Sequence, residues 1–237
     1  MRVPERIDAL DACNRSVPNA WKLHHAYRYN LAKRYCKNKV VLDLGCGTGY
    51  GAYMLSEVAK HVVALDVANC FKRRYKTHNV KFVRSSAEKM PFVNAFDVVI
   101  CLEVIEHVKK PESLLQQIHG ALKNGGHLML STPNRKYSSK DGMVRPLHLR
   151  EFYLSELLEI MRQRGFIVEK VIGQNLSRWH DVFTASLRRH SLQPCRQNIK
   201  ETYKPSTRIS SHFVMLNCKL GHFLPQYSNT IIVVARK

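Results

Sequence analysis

Between Lys39 and Lys170 short runs of apolar, largely β-branched residues recur, each long enough for one strand. VVLDLG, HVVALD at 61–66, VKFVRS at 80–85, FDVVIC at 96–101 and HLMLST at 127–132 are mostly near-continuous in hydrophobicity, as in strands buried on both faces. Segments with helical spacing lie between them. YGAYMLSEVA covers 50–59, and PESLLQQIHGALKNGG covers 111–126, opened by Pro111 and closed by two glycines. A further helix, SELLEIMRQRGF, ends at Gly165 and leads into FIVEKVIG, and NTIIVVARK supplies one more buried strand. Such alternation predicts an α/β fold, a mostly parallel sheet covered by helices on both faces.

The alternation stops after Gly173. The polar and basic stretch from Gln174 to Ser228 is expected to be a cap inserted between the final two strands, which pair with each other. The expected organisation is one domain over 1–237: an N-terminal helical segment (1–38), the core (39–173), the inserted cap (174–228) and the last strand (229–237). A chain of 237 residues suits a single domain. No internal repeat or low-complexity stretch interrupts it.

Composition changes the picture in two respects. Seven cysteines are scattered without a C-x-x-C pair, so neither a disulfide framework nor a zinc knuckle is encoded. The opening MRVPERIDAL is charged throughout, unlike a secretory signal, and no apolar run approaches a membrane span. A cytoplasmic protein with reduced thiols is expected. The net charge of +20 is the unusual number. Such a field suits RNA or an anionic surface as partner, or serves solubility alone.

Candidate chemistry sits where strands end. VVLDLG runs into GCGTGYG, placing Gly45, Gly47 and Gly49 at a strand-to-helix turn where backbone can approach a ligand. Tyr50 stands where the third glycine of a dinucleotide fingerprint would fall. Asp43, just before the glycines, offers an acceptor for an ammonium group, and Asp66, ending the next strand, a carboxylate for ribose hydroxyls. In LEVIEHV, Glu103, Glu106 and His107 would share one face of a helix at i, i+3 and i+4. Two carboxylates and an imidazole suit a hard divalent ion, or a general base with its orienting partner.

VLDLGCGTGYG, the strand-end Asp66, FDVVICLEVIEHV and LKNGGHLMLSTPNR together resemble class I S-adenosylmethionine-dependent methyltransferases, in the family's order and spacing. The likeness covers roughly Asn38 to Lys170 and the final strand. It is most similar to the branch with an E-x-x-E-H motif, STPNR and H-x-R-E-F, the last being His148, Arg150, Glu151 and Phe152. HHAYRY at 24–29 resembles bacterial members acting on sugars and other small metabolites. The resemblance implies a Rossmann-like, seven-stranded, mostly parallel sheet. It implies S-adenosyl-L-methionine as cofactor, held at Asp43, Gly45, Gly47, Gly49, Asp66, Ser86, Ala87, Cys101 and Arg28. It also implies catalysis at His107, Glu106 and Glu103.

The E-x-x-E-H motif plus a distant histidine is similar to RNA 2′-O-methyltransferases and to ubiquinone-pathway O-methyltransferases. That likeness implies Mg²⁺ or Mn²⁺ on Glu103, Glu106, His107 and His148. The metal-free alternative makes His107 a general base oriented by a glutamate. The sequence departs from the family twice. The segment DVANCFKRRY shortens the second helix, opening the adenine side. Ser86 replaces an aspartate, a loss of ~1–2 kcal/mol in cofactor binding. Three functions follow: O-methylation of a small-molecule acceptor (a sugar or catechol-like metabolite), an RNA 2′-O-methyltransferase, and a cofactor-binding scaffold without turnover.

Overall fold

A computed structural model describes residues 19–138, 148–176, 225 and 228–237. Most of the expected cap lies outside them, with Trp179, the RRH run at 188–190, Cys195 and Cys218. Seven strands form one sheet: β1 (Val40–Leu44), β2 (His61–Asp66), β3 (Val80–Arg84), β4 (Phe96–Leu102), β5 (Leu122–Pro133), β6 (Ile167–Leu176) and β7 (Ser228–Arg236). Their order is β3-β2-β1-β4-β5-β7-β6. The first five run parallel, and β7 is antiparallel to both β5 and β6. The expected pairing of the last two strands is present. β6 runs on to Leu176, three residues into the stretch read as the cap.

The sheet is covered on both faces, as the unbroken apolar runs require. Neighbouring strand residues point to opposite sides. Leu42, Leu44, Val99 and Leu130 pack with Leu114, Ile118, Leu157 and Met161 from α3 (Pro111–Ala121) and α5 (Leu154–Gln163). Val41, Ala64, Val98 and Ile100 pack with Ala32, Cys36 and Leu55 from α1 (Asn19–Cys36) and α2 (Tyr50–Ser56). Pro111 opens α3 as expected, but the helix ends at Ala121 rather than at the glycines. Leu122 is fully buried and pairs with Phe96, starting β5 five residues before its expected start. Gly125 and Gly126 then sit where the register shifts between Phe96 and Val98.

Two further segments bear on function. Between β2 and β3 the chain forms only a 3₁₀ turn (Arg73–Tyr75), in line with the shortened second helix. After β4 the expected helix carrying Glu103, Glu106 and His107 is absent. Glu103 instead takes a left-handed conformation (φ 56°), and a 3₁₀ turn follows over Ile105–His107. Among the described residues no helix is long and apolar enough to cross a membrane.

Candidate functional site

β1 lies between β2 and β4, so the C-terminal ends of these strands converge at the point where strand order reverses. The loop after β1 passes over them. Gly47 has φ 55°, and a Cβ placed there would meet nothing within 4 Å, so this turn opens on empty space. Its amide donates to Asp66 Oδ2 at 2.9 Å, while Asp66 Oδ1 accepts from the Ala68 amide at 2.9 Å. The strand-end carboxylate therefore shapes the glycine turn while standing at the mouth of the site. The other glycines make room for protein. A Cβ on Gly45 would strike Val104, one on Gly49 Phe71, and one on Gly51 the Tyr29 ring at 2.0 Å.

Asp43 is 1% exposed and accepts a hydrogen bond from the Tyr29 hydroxyl at 3.1 Å. Its Oδ2 is buried without a hydrogen-bond partner among the described residues. Burial pushes its carboxyl up to about 7, with the nearby Asp66 charge adding to the rise and the Tyr29 bond opposing it. An unpaired oxygen on a carboxylate so desolvated suits a cationic group, and the ammonium of the amino-acid end of S-adenosylmethionine is one. Ser86 Oγ accepts from the Glu88 amide at 3.2 Å, and Ala87 packs against the core. Cys101 is fully buried in β4, and burial holds its thiol well above its ordinary range.

Arg28 comes from α1 and is 3% exposed. Its guanidinium donates to Gln174 Oε1 at 3.1 Å and lies 3.5 Å from Glu103 Oε1. Glu103 is tied twice to Ser131: its amide donates to the Ser131 carbonyl at 3.0 Å, and its carboxylate accepts from Ser131 Oγ at 2.9 Å. A non-glycine residue at φ 56° is strained, and these bonds hold it in place. On α1, burial lowers the His24 imidazole to about 4, helped by the Arg28 charge, so that ring is neutral at pH 7.

Glu106, His107 and His148 form the second half of the site, with one potential ligand atom from each lying within 4.8 Å of the others. Glu106 is fully buried. Its Oε2 accepts from Thr132 Oγ1 at 3.1 Å, and its Oε1 has no hydrogen-bond partner among the described residues. Burial, and after it the Glu103 charge, raises this carboxyl well above the usual range. The two imidazoles meet edge to face with centroids 5.0 Å apart. Of the four residues expected as ligands, the structure brings Glu106, His107 and His148 together. Glu103 stands outside this group, because its left-handed backbone directs it to Arg28 and Ser131.

His148 is brought in by the segment 148–152, whose Leu149 and Arg150 amides donate to the Glu106 carbonyl at 2.8 and 3.2 Å. Asn134, from STPNR, is buried and donates to the Ser228 carbonyl at 3.0 Å, so it anchors β7. Tyr29, Ser131, Thr132 and Glu151 lie in the motifs HHAYRY, STPNR and H-x-R-E-F, but the sequence reading gave them no role in the site. Only Glu151 had a visible signal, three places after His148.

A buried carboxylate oxygen without a partner beside two imidazoles fits a divalent cation, and the donor set suits Mg²⁺, Mn²⁺ or Fe²⁺. The same trio equally forms an acid–base cluster beside the glycine turn.

Residues 21–171 match the methyltransferase-domain family. A probable S-adenosylmethionine-dependent methyltransferase of Mycolicibacterium smegmatis is 33% identical over 160 residues, 65% of this chain and 62% of that protein. A tRNA U34 carboxymethyltransferase of Shewanella pealeana is 36% identical over 104 residues, 40% of this chain and 32% of that protein. The chain thus spans less than two thirds of the length of these curated relatives. Among solved structures, an S-adenosylmethionine-dependent methyltransferase from Mesorhizobium loti superposes with a TM-score of 0.59 at 16% identity, covering 90% of this chain and 100% of that one. The [4+2]-cyclase SpnF superposes at 0.61 with 22% identity, covering 92% and 83%. At such identities the structures speak for the fold alone.

Proposed function

Since this chain belongs to the family of S-adenosylmethionine-dependent methyltransferases, we propose that it transfers the cofactor's methyl group to a hydroxyl oxygen of a small molecule, a sugar or a catechol-like ring. The observation that carries this reading is the grouping of Glu106, His107 and His148 at the end of β4, beside the glycine turn. Asp43 and Asp66 hold the two ends of the cofactor, and the turn at Gly47 lets backbone approach it. The acceptor hydroxyl gives its proton to an imidazole of the cluster while its oxygen bonds to the methyl carbon. The carbon–sulfur bond breaks in the same step, and the sulfonium leaves as a neutral thioether.

Glu106, His107 and His148 would hold a divalent ion, which when bound lowers the pKa of a hydroxyl beside it. Without an ion, the histidine oriented by a carboxylate serves as base.

An RNA acceptor is the second reading. Between Asp66 and Glu88 six lysines and arginines occur with no acidic residue, and this stretch includes β3, the edge strand beside Asp66. Relatives named as tRNA U34 carboxymethyltransferases point the same way. The test is transfer of labelled methyl from S-adenosylmethionine into a cell extract split into metabolite and RNA fractions. Label in the metabolite fraction supports the first reading, and label confined to RNA replaces it with the second.

A further inference from the structure

We propose that Glu151 is a positioning residue of the site: its buried carboxylate fixes His148 in the tautomer protonated at Nδ1, leaving Nε2 as the ring atom that works with Glu106 and His107. The two side chains meet at 2.6 Å between His148 Nδ1 and Glu151 Oε1. His148 is 10% exposed and Glu151 1%. A carboxylate at this depth is costly unless a strong donor meets it. With the Glu151 carboxylate as acceptor of this bond, the proton between the pair sits on Nδ1. Nε2 then carries the ring's lone pair, free to take a proton or to bind a cation.

The approach of the two residues does not arise from helical spacing, because 148–152 lies outside any helix. It is built by anchors on either side. The Leu149 and Arg150 amides bind the Glu106 carbonyl, joining the segment to the same residue that supplies the cluster's carboxylate. The Arg150 guanidinium reaches Glu112 of α3 and Glu156 of α5. Phe152 is fully buried and bridges to Asn134 at the end of β5. With the backbone so fixed, the His148 ring needs only one side-chain contact to settle its orientation, and Glu151 supplies it. The inference rests on the proposed function only in taking His148 as a working group. It holds whether the ring serves as base or as ligand.

The direct test is the nitrogen NMR signature of His148 in the full chain, assigned with a His148→Gln variant. The Nδ1-protonated tautomer is expected in the wild type, and the Nε2-protonated one would overturn the proposal. Glu151→Leu keeps the volume and removes the acceptor. The ring is expected to lose the Nδ1-protonated signature in that variant, and a folded variant that keeps it unchanged counts against Glu151. If Glu151→Leu does not fold, the wild-type spectrum decides alone. Mn²⁺ titration adds a second readout, with binding about 10–100-fold weaker in Glu151→Leu. A wild type that binds no Mn²⁺ yet shows the expected tautomer removes the metal and leaves the positioning role standing.

Discussion

Arg28 and Glu103 form an ion pair, 3.5 Å from guanidinium to carboxylate, that ties α1 to the strained residue directly after β4. Arg28 reaches Gln174 of β6 as well, so one side chain joins α1, β4 and β6. Arg28 is buried but Glu103 only partly so, and it keeps its bonds to Ser131, so removing Arg28 forfeits charge-assisted hydrogen bonding of about 1.5–3 kcal/mol. Arg28→Ala is expected to lose stability on that scale in urea denaturation. A loss under about 1 kcal/mol, the range of an exposed pair, would show that the link is superficial.

Gly51 and Gly47 separate space from backbone freedom. Alanine suits a helix better than glycine by at most about 1 kcal/mol, yet at Gly51, the second residue of α2, a Cβ would lie 2.0 Å from the Tyr29 ring. Overpacking of about 1–3 kcal/mol outweighs that gain, and Tyr29 must leave Asp43. Gly51→Ala should therefore melt lower and bind S-adenosylmethionine more weakly. Gly47→Ala meets no atom, so its stability should fall only by the left-handed backbone cost of about 1–2 kcal/mol, and thermal melts compare the two.

Asp43 gives a pH dependence with a definite sign. Its carboxyl titrates near 7 in the folded protein, above the ordinary value of 3.8. The folded chain therefore keeps a proton that the unfolded chain releases, and this contribution to stability is lost as pH rises from about 4 through about 7. Across that window the urea midpoint should fall more steeply in the wild type than in Asp43→Asn. Affinity for S-adenosylmethionine should move oppositely, rising with pH up to about 7 as the carboxylate ionises to meet the ammonium group. Calorimetry at pH 5 and pH 7, where the ammonium group stays charged, reads that change, and identical affinities would detach Asp43 from the cofactor.

Glu106 carries a buried, partnerless oxygen, an arrangement that favours function over stability. Glu106→Gln removes the ionisable group and should raise the melting temperature of the cofactor-free protein. The same change should weaken Mn²⁺ binding, followed by electron paramagnetic resonance. A chelator should abolish methyl transfer by the wild type if the cluster works with an ion, and leave it intact if an imidazole is the base.

The sheet was legible because strands buried on both faces must be apolar throughout, and runs such as HVVALD have no other economical reading. The glycine turn was legible for the same kind of reason, although Gly45, Gly49 and Gly51 also serve Val104, Phe71 and Tyr29, contacts no local pattern announces. Spacing misled at Glu103. Its i, i+3 and i+4 relation to Glu106 and His107 suits a helix, but strand pairing to Ser131 carries past Leu102 and forces a left-handed turn. Glu151 stood in plain view as the third residue after His148. Its value depends on the backbone bonds to Glu106, a long-range contact that sequence does not display.

The division of the site into a cofactor half and a chemical half is tested most directly on one preparation of Glu106→Gln, by measuring S-adenosylmethionine affinity in calorimetry and methyl transfer to the labelled acceptor fraction side by side. Binding close to that of the wild type, with transfer reduced by at least about 100-fold, is the expected result, as for an interaction made only in the transition state. Transfer at the wild-type rate, or a loss of binding as large as the loss of transfer, would contradict it.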